Sequence, residues 1–259
     1  MTEPIFYLPL GEEVRVFQAA REHRLPVLLK GPTGCGKSRF VSFMAAQAGT
    51  KLIAVACNED TSAADLLGRF LLKDGQTLWQ DGPVTRAARE GALLYLDEIA
   101  EAREDVVVLL HSLTDHRREL YLDKINERVV AAPHFQLVVS YNPGYQRGFK
   151  QLKPSTRQRF VSLAFSYPNL VQETEIIAKE TGVELSLAKQ LGELGAKIRK
   201  LEELSLTETV STRLLVHGAK LIRAGLPKRL ACETAILQPL SDDLEVLSAL
   251  KDFVALHMT

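Results

Sequence analysis

The sequence predicts an α/β protein: a doubly wound, parallel five-stranded sheet with two β-hairpin inserts, followed by an α-helical domain. Three observations carry that reading. Five short apolar runs alternate with helical patterns through residue 165, turn-forming residues interrupt the alternation twice, and beyond Pro168-Asn169 only helical periodicity remains. The chain has 259 residues, 46% apolar and 25% charged, with 32 basic residues balanced by 32 acidic ones. That composition fits one large globular domain or two modest ones and excludes disorder and collagen-like repeats.

Taken in order, residues 27–29 form the first strand and a glycine-rich turn follows. Over residues 37–48, Phe40, Val41, Met44, Ala45 and Ala48 recur at helical spacing, with Gly49 placed as a C-cap. Residues 52–56, 92–96, 135–141 and 160–165 supply the other strands. Asp74-Gly75 between two apolar runs is a hairpin cue, because both turn residues must tolerate positive φ. Residues 118–131 read as a second hairpin, with Leu120 and Leu122 alternating with polar residues before the turn at 123–126. Helical patterns at 171–179, 186–201, 211–224, 228–237 and 244–256 make up the C-terminal part, so the expected domains are 1–168 and 169–259.

Several classes of function fall away early. No apolar run approaches the ~20 residues a membrane-spanning helix needs. Met1-Thr2-Glu3-Pro4 is not a basic region leading into an apolar one, which predicts no secretory signal and a cytoplasmic setting. Cys35, Cys57 and Cys232 are odd in number and widely spaced, against a disulfide framework or a zinc site. Zero net charge gives no electrostatic reason to expect nucleic acid as a partner.

The chemistry is concentrated in the turns that follow strands. Gly31-Pro32-Thr33-Gly34-Cys35-Gly36-Lys37-Ser38 matches GxxxxGK[ST] between a predicted strand and a predicted helix. Backbone N–H groups at a helix N-terminus hold polyphosphate, and glycine permits the tight turn and the close approach. Lys37 would reach the β- and γ-phosphates of ATP and Ser38 would ligate Mg²⁺. Cys35 is either a tolerated small residue or a redox group. The strand 93–96 ends in Asp97-Glu98, where Asp97 would hold the metal's water shell and Glu98 would orient and deprotonate the attacking water. Asn142, ending the 135–141 strand, is either a γ-phosphate contact or a turn former before Pro143. Arg157 and Arg159 precede the last strand; two residues apart on a helix they point about 200° from each other, so only one can face a given phosphate. Arg213, at the start of a C-terminal helix capped by Ser211 or Thr212, either folds onto the nucleotide or forms a surface ion pair. His111 and His116, five apart, share a helix face poorly as metal ligands.

In combination these residues resemble the AAA+ ATPases, and within them the MoxR group. GPTGCGKS at 31–38, LLYLDE at 93–98, VVSYNPGYQ at 138–146, KPSTRQRF at 153–160 and STRLL at 211–215 fall in that family's order. WQDGPVTRAAREGA, LVVSYNPGYQ and LKPSTRQRFV are most similar to its CbbQ/NorQ/NirQ branch. The resemblance implies an AAA+ P-loop NTPase core with a helical lid, Asn142 as sensor 1, Arg159 as an arginine acting in trans with Arg157 as its rival, and Arg213 as sensor 2. It also implies a homohexamer and an adaptor bearing a von Willebrand factor A domain. Its two tasks are reactivation of sugar-phosphate-inhibited Rubisco, favoured by the STRQRFVSL wording and the absence of a metal-ligand cluster from the sequence, and maturation of nitric oxide reductase; a nucleotide-gated assembly protein or a DNA-associated AAA+ ATPase is the alternative class. Residues 58–64 lack the aromatic-hydrophobic-glycine element of threading unfoldases, and Phe70 and Trp79 on the first hairpin are aromatic candidates for touching a partner.

Overall fold

The computed structural model describes residues 5–143, 152–201 and 209–258. Met1 to Pro4 and residues 144–146 of the VVSYNPGYQ run therefore lie outside the described residues. The chain forms two compact units. One holds Gly11–Gly31 and Lys37–Phe165; the other holds Ser166 onward together with Pro32–Gly36 and the described residues up to Leu10.

The first unit is built on a five-stranded parallel sheet of β1 (Val27–Lys30), β2 (Leu52–Ala56), β5 (Leu93–Asp97), β8 (Gln136–Tyr141) and β9 (Val161–Ala164), ordered β2-β5-β8-β1-β9. Val27, Leu28 and Leu29 and the whole of β8 are buried, as strands covered on both faces must be. Helices α1 (Glu13–Glu22), α2 (Lys37–Gln47), α4 (Pro83–Glu90) and α5 (Glu104–Thr114) belong to this unit. Phe40 on α2 is fully buried, with ring centroids 5.4 Å from Phe17 and 5.3 Å from Phe165. At Gly31 the backbone passes so close to Phe165 that an added Cβ would lie 2.4 Å from its carbonyl oxygen.

Both hairpins are present. β3 (Gly68–Lys73) pairs antiparallel with β4 (Gln76–Asp81), and Asp74 and Gly75 take φ of 51° and 75°, as a two-residue primed turn requires. β6 (Glu119–Leu122) pairs with β7 (Glu127–Val130) around a short 3₁₀ turn. Residues 58–62 form a tight polar turn, with Asn58 Oδ1 accepting from Asp60 N and Thr61 Oγ1, that leads into α3 (Ala63–Leu67) through a Ser62–Asp65 capping box.

In the second unit, α7 (Leu170–Thr181) starts at Asn169, which forms a capping box with Gln172. α8 (Leu185–Ile198), α9 (Thr212–Arg223), α10 (Lys228–Cys232) and α11 (Leu244–His257) follow. They enclose a core that includes Ile177, Leu191, Leu215, Ile236 and Leu250. The sequence periodicity over 228–237 suggests one α-helix, but the backbone widens to a π-type segment at Glu233–Leu237. Ala235, Ile236 and Leu237 remain buried there, so the apolar pattern cannot distinguish the two helix types.

Truncating Phe40 to Ala removes the ring that packs α1 and α2 together beside Phe165. The expected loss is about 3–5 kcal/mol of stability, read as a lower urea midpoint at unchanged slope; a shift under 1 kcal/mol would contradict this packing.

Candidate active site at the carboxyl edge of the sheet

Strand order brings the site together. β5 and β8 are neighbours in register, Leu96 opposite Val139, and both end on the carboxyl side where ligands of open α/β sheets bind. Asp97 ends β5 and is half-buried. Tyr95 lies two residues earlier on the same face, and Ser140 comes from β8. Ser38, in the first turn of α2, donates its hydroxyl to Asp97 Oδ2 at 3.1 Å. Tyr95 Oη donates to Asp97 Oδ1 at 2.8 Å, and Ser140 Oγ donates to the same oxygen. Ser38 Oγ and Tyr95 Oη are themselves 3.3 Å apart, and Tyr95 Oη and Ser140 Oγ 3.1 Å. Three hydroxyls thus converge on one carboxylate. Burial pushes the Tyr95 phenol above its ordinary range, so it acts as a neutral donor.

Lys37 Nζ donates to the carbonyl oxygen of Gly31 at 2.7 Å, which folds the ammonium over the start of the glycine-rich loop. Glu98 follows Asp97 with φ 54° and ψ 43°, a left-handed conformation that costs a non-glycine residue of order 1 kcal/mol or more. Its backbone N–H is shared between Asp97 Oδ1 at 3.2 Å and Ser140 Oγ at 3.3 Å, and the residue is exposed. The two carboxylates reach the buried Cys57, whose N–H donates to the Asp97 carbonyl at 2.9 Å. Burial first, then the charges of Asp97 and Glu98, push that thiol up to about 12.

Asn142 stands one residue past β8 and is half-buried. Arg157 closes the single turn α6 (Pro154–Arg157) and is half-buried, whereas Arg159 lies beyond it and is exposed, so the two arginines differ in access. His111 shares a hydrogen bond with Thr156 Oγ1 at 3.2 Å; its pKa is lowered by burial and by the Arg159 charge, which places that guanidinium near α5.

The second unit holds the crown of the loop, Pro32–Gly36, and Arg213. Gly34 and Gly36 take φ of 69° and 101°, left-handed values that glycine adopts without the steric cost a side chain would bring. A Cβ at Gly34 would lie 2.6 Å from Ser211 Cβ and 3.3 Å from Arg213 Cβ, so only glycine fits there. Ser211 caps α9, its Oγ accepting from Leu214 N, and Arg213 is exposed on the first turn of that helix. Cys35 in the crown is buried.

The donor set suits a hard divalent cation with triphosphate: a hydroxyl and a carboxylate 3.1 Å apart, with a lysine ammonium held at the same loop. Tyr95 and Ser140 were not singled out by sequence reasoning. The available signal was a polar residue breaking an apolar strand two residues before a carboxylate, and a serine at the matching level of the neighbouring strand.

A parallel sheet of this order, with lysine, serine and aspartate gathered at its carboxyl edge after a glycine-rich loop, defines a P-loop ATPase of the AAA+ class. Residues 26–160 match the model of the AAA domain of the dynein-related subfamily, and residues 173–257 match the CbbQ/NirQ/NorQ C-terminal model. The chain belongs to the CbbQ/NirQ/NorQ family of MoxR-type AAA+ ATPases. It is 56% identical to protein NorQ of Paracoccus denitrificans over 96% of this chain and 93% of that one. It is 54% identical to the denitrification regulatory protein NirQ of Pseudomonas aeruginosa, covering 98% and 97%. It is 53% identical to protein CbbQ of Hydrogenophilus thermoluteolus, covering 96% and 93%. Among solved structures, a variant of RuvB from Thermotoga maritima superposes with a TM-score of 0.54 at 18% identity, covering 95% of this chain and 71% of that one, a likeness of fold. No helix among the described residues is long and apolar enough to cross a membrane.

The raised Cys57 value gives a test of the site's negative field. With a pKa of about 12, roughly one thiol in 10⁴ is ionised at pH 8, so Cys57 should resist iodoacetamide in the native chain and react on denaturation. An unfolded thiol ionises near 9.0, so its contribution to stability is complete below that pH and is lost as pH rises toward 12. Rapid native alkylation mapped to Cys57 by mass spectrometry would contradict the buried, doubly charged setting.

Proposed function

We propose that the chain hydrolyses ATP with Mg²⁺ and passes the resulting motion to a client enzyme, working in the cytoplasm as a homohexamer with an adaptor that carries a von Willebrand factor A domain. The observation that carries the reading is the convergence of Ser38, Tyr95 and Ser140 on Asp97 beside Lys37. Magnesium, when bound, neutralises phosphate charge in transfer to water. Ser38 and Asp97 would hold it, Asp97 through bound water. The loop 31–38 cradles the phosphates with backbone N–H groups, and Lys37 exchanges its Gly31 carbonyl partner for a phosphate oxygen. Glu98 orients the attacking water and takes its proton, its exposed carboxylate being held just beyond β5 by the backbone bonds to Asp97 and Ser140. Asn142 reads the γ-phosphate, and Arg213 reads the nucleotide from the lid formed by residues 169–259.

Arg159 is our choice for the arginine donated to a neighbouring subunit, since it is exposed while Arg157 is half-buried. Residues 58–64 are bound into an Asx turn and a capping box, which supports a remodelling action without chain threading. On the first hairpin, Phe70 is 47% exposed and Trp79 is half-buried with its Nε1 donating to Asp81, so Phe70 is the better contact for a partner.

Two clients stand level. The relatives named NorQ and NirQ, at 56% and 54% identity, favour a denitrification enzyme such as nitric oxide reductase. The relative named CbbQ, at 53%, and the STRQRFVSL segment favour Rubisco blocked by sugar phosphate.

The deciding experiment measures ATP hydrolysis with the adaptor and each client in turn. The true client should stimulate turnover and regain activity, and stimulation by neither would overturn the remodelling reading. Glu98→Gln should bind ATP while hydrolysis falls by about 10²–10⁴; near-normal turnover would remove Glu98 from the proton-transfer role.

Arg159→Ala should lose hydrolysis alone and recover it when mixed with Glu98→Gln subunits, which supply the arginine in trans. If Arg157→Ala shows this rescue and Arg159→Ala does not, the assignment moves to Arg157.

A further inference from the structure

The second unit contains a buried ionic assembly that catalysis does not require directly. Glu173, in the first turn of α7, has a side chain only 1% exposed, and the side chain of Arg199, the C-cap just past α8, is 14% exposed. Their bond is bidentate: Arg199 Nη1 donates to Glu173 Oε2 at 2.8 Å and Nη2 donates to Oε1 at 2.7 Å. Thr212, the first residue of α9, donates its hydroxyl to the same Oε1 at 2.7 Å. Arg199 Nε donates to the carbonyl of Val210, at 2.7 Å. One guanidinium face lies over the Tyr167 ring, 4.5 Å from its centroid.

The assembly has an outlet at each end. Tyr167 Oη donates to the carbonyl of Thr33 at 3.0 Å, in the crown of the glycine-rich loop. Thr212 is flanked by Ser211 and Arg213, the two residues against which Gly34 packs with no room for a Cβ. Two consecutive loop residues, Thr33 and Gly34, are therefore met by the two ends of one contact set, Thr33 through a hydrogen bond and Gly34 through close packing. Five groups must be met in fixed directions: a carboxylate fork, a carbonyl, an aromatic face, and through them a hydroxyl and a loop carbonyl. A planar guanidinium can serve all of its share at once and an ammonium cannot.

We propose that the Glu173–Arg199 pair is a positioning device for the ATP site, holding the loop crown through Tyr167 and the start of α9, with Arg213, through Thr212 and Val210. This rests on the reading of residues 31–38 as the ATP-binding loop. ATP on the crown and Arg213 on α9 then share one set of contacts, and loosening either end weakens both. Tyr167 and Thr212 act through other groups and are positioning residues.

Tyr167→Phe tests the first outlet with little threat to folding, because it deletes one hydroxyl and keeps the ring under Arg199. Thr212→Val tests the second by the same logic. Each should raise the dissociation constant for a fluorescent ATP analogue, and the KM for ATP, by about 2- to 12-fold, the equivalent of one net hydrogen bond, with melting of the nucleotide-free chain nearly unchanged in Tyr167→Phe and lowered in Thr212→Val, which also removes a donor to the buried Glu173 carboxylate. Arg199→Lys should raise KM as well, since it retains charge and loses the fork. The decisive measurement is a double-mutant cycle on nucleotide affinity between Tyr167→Phe and Arg213→Ala. Non-additive effects support the shared device. Additive effects, or affinity unchanged in Tyr167→Phe and Thr212→Val, overturn it. Wild-type chain and Lys37→Ala are measured alongside: if wild type binds no ATP, or Lys37→Ala binds equally well, the reading of the loop fails and this inference with it. If those controls behave and the cycle is additive, only the inference fails.

Discussion

The Asp97 carboxylate is the point around which the carboxyl edge of the sheet is organised, and its setting follows from strand order. Because β8 lies between β5 and β1, the strand bearing Ser140 runs beside Asp97 on one flank and beside the strand that feeds the glycine-rich loop on the other. Ser38 enters from the helix after that loop. Three hydroxyls then point their protons at one carboxylate, which fixes its orientation. A serine that gives its proton to Asp97 presents oxygen to a cation without giving up that bond. A carboxylate already bonded on both oxygens is better suited to hold water around a metal than to displace it.

Glu98 illustrates how the same framework places a second acid differently. Continuing β5 by one extended residue would carry Glu98 along the strand direction. Instead the chain turns into the left-handed region at Glu98, with its N–H shared between Asp97 and Ser140. The conformational cost is offset by those two bonds to a charged and a hydroxyl oxygen. Ser140 therefore serves both acids, orienting one through its proton and the next through its oxygen.

The sequence disclosed the elements whose physics is local. Glycines 34 and 36 adopt the positive φ that their place in the loop demands, Asp74-Gly75 make the turn that dipeptide favours, and Ser211 caps the helix it precedes. The strand at 92–96 is displaced by one residue to Leu93–Asp97, which draws Asp97 into the sheet opposite Ala56 of β2. What escaped is long-range. Tyr95 and Ser140 sit 45 residues apart inside strands that read as apolar runs, and Glu173 and Arg199 are 26 residues apart on separate helices. No periodicity links such pairs, and only the fold brings them together.

The Glu173–Arg199 pair also bears on why a chain would bury charge at all. Burying two ions carries a desolvation cost that their attraction repays only with good geometry and further hydrogen bonds, and replacing such pairs with packed apolar groups is often neutral or stabilising by about 1–4 kcal/mol. Here the geometry is bidentate, Thr212 adds a third bond to the carboxylate, and the guanidinium also meets the Val210 carbonyl and the Tyr167 ring. An apolar cluster of equal volume would fill the space between α7, α8 and α9, but it would impose no direction on the residue before α9 or on the ring that reaches Thr33. On the positioning proposal the ionic pair supplies direction rather than net stability, and direction is what α9 needs if Arg213 on its first turn is to stand at a fixed place beside Gly34 of the glycine-rich loop.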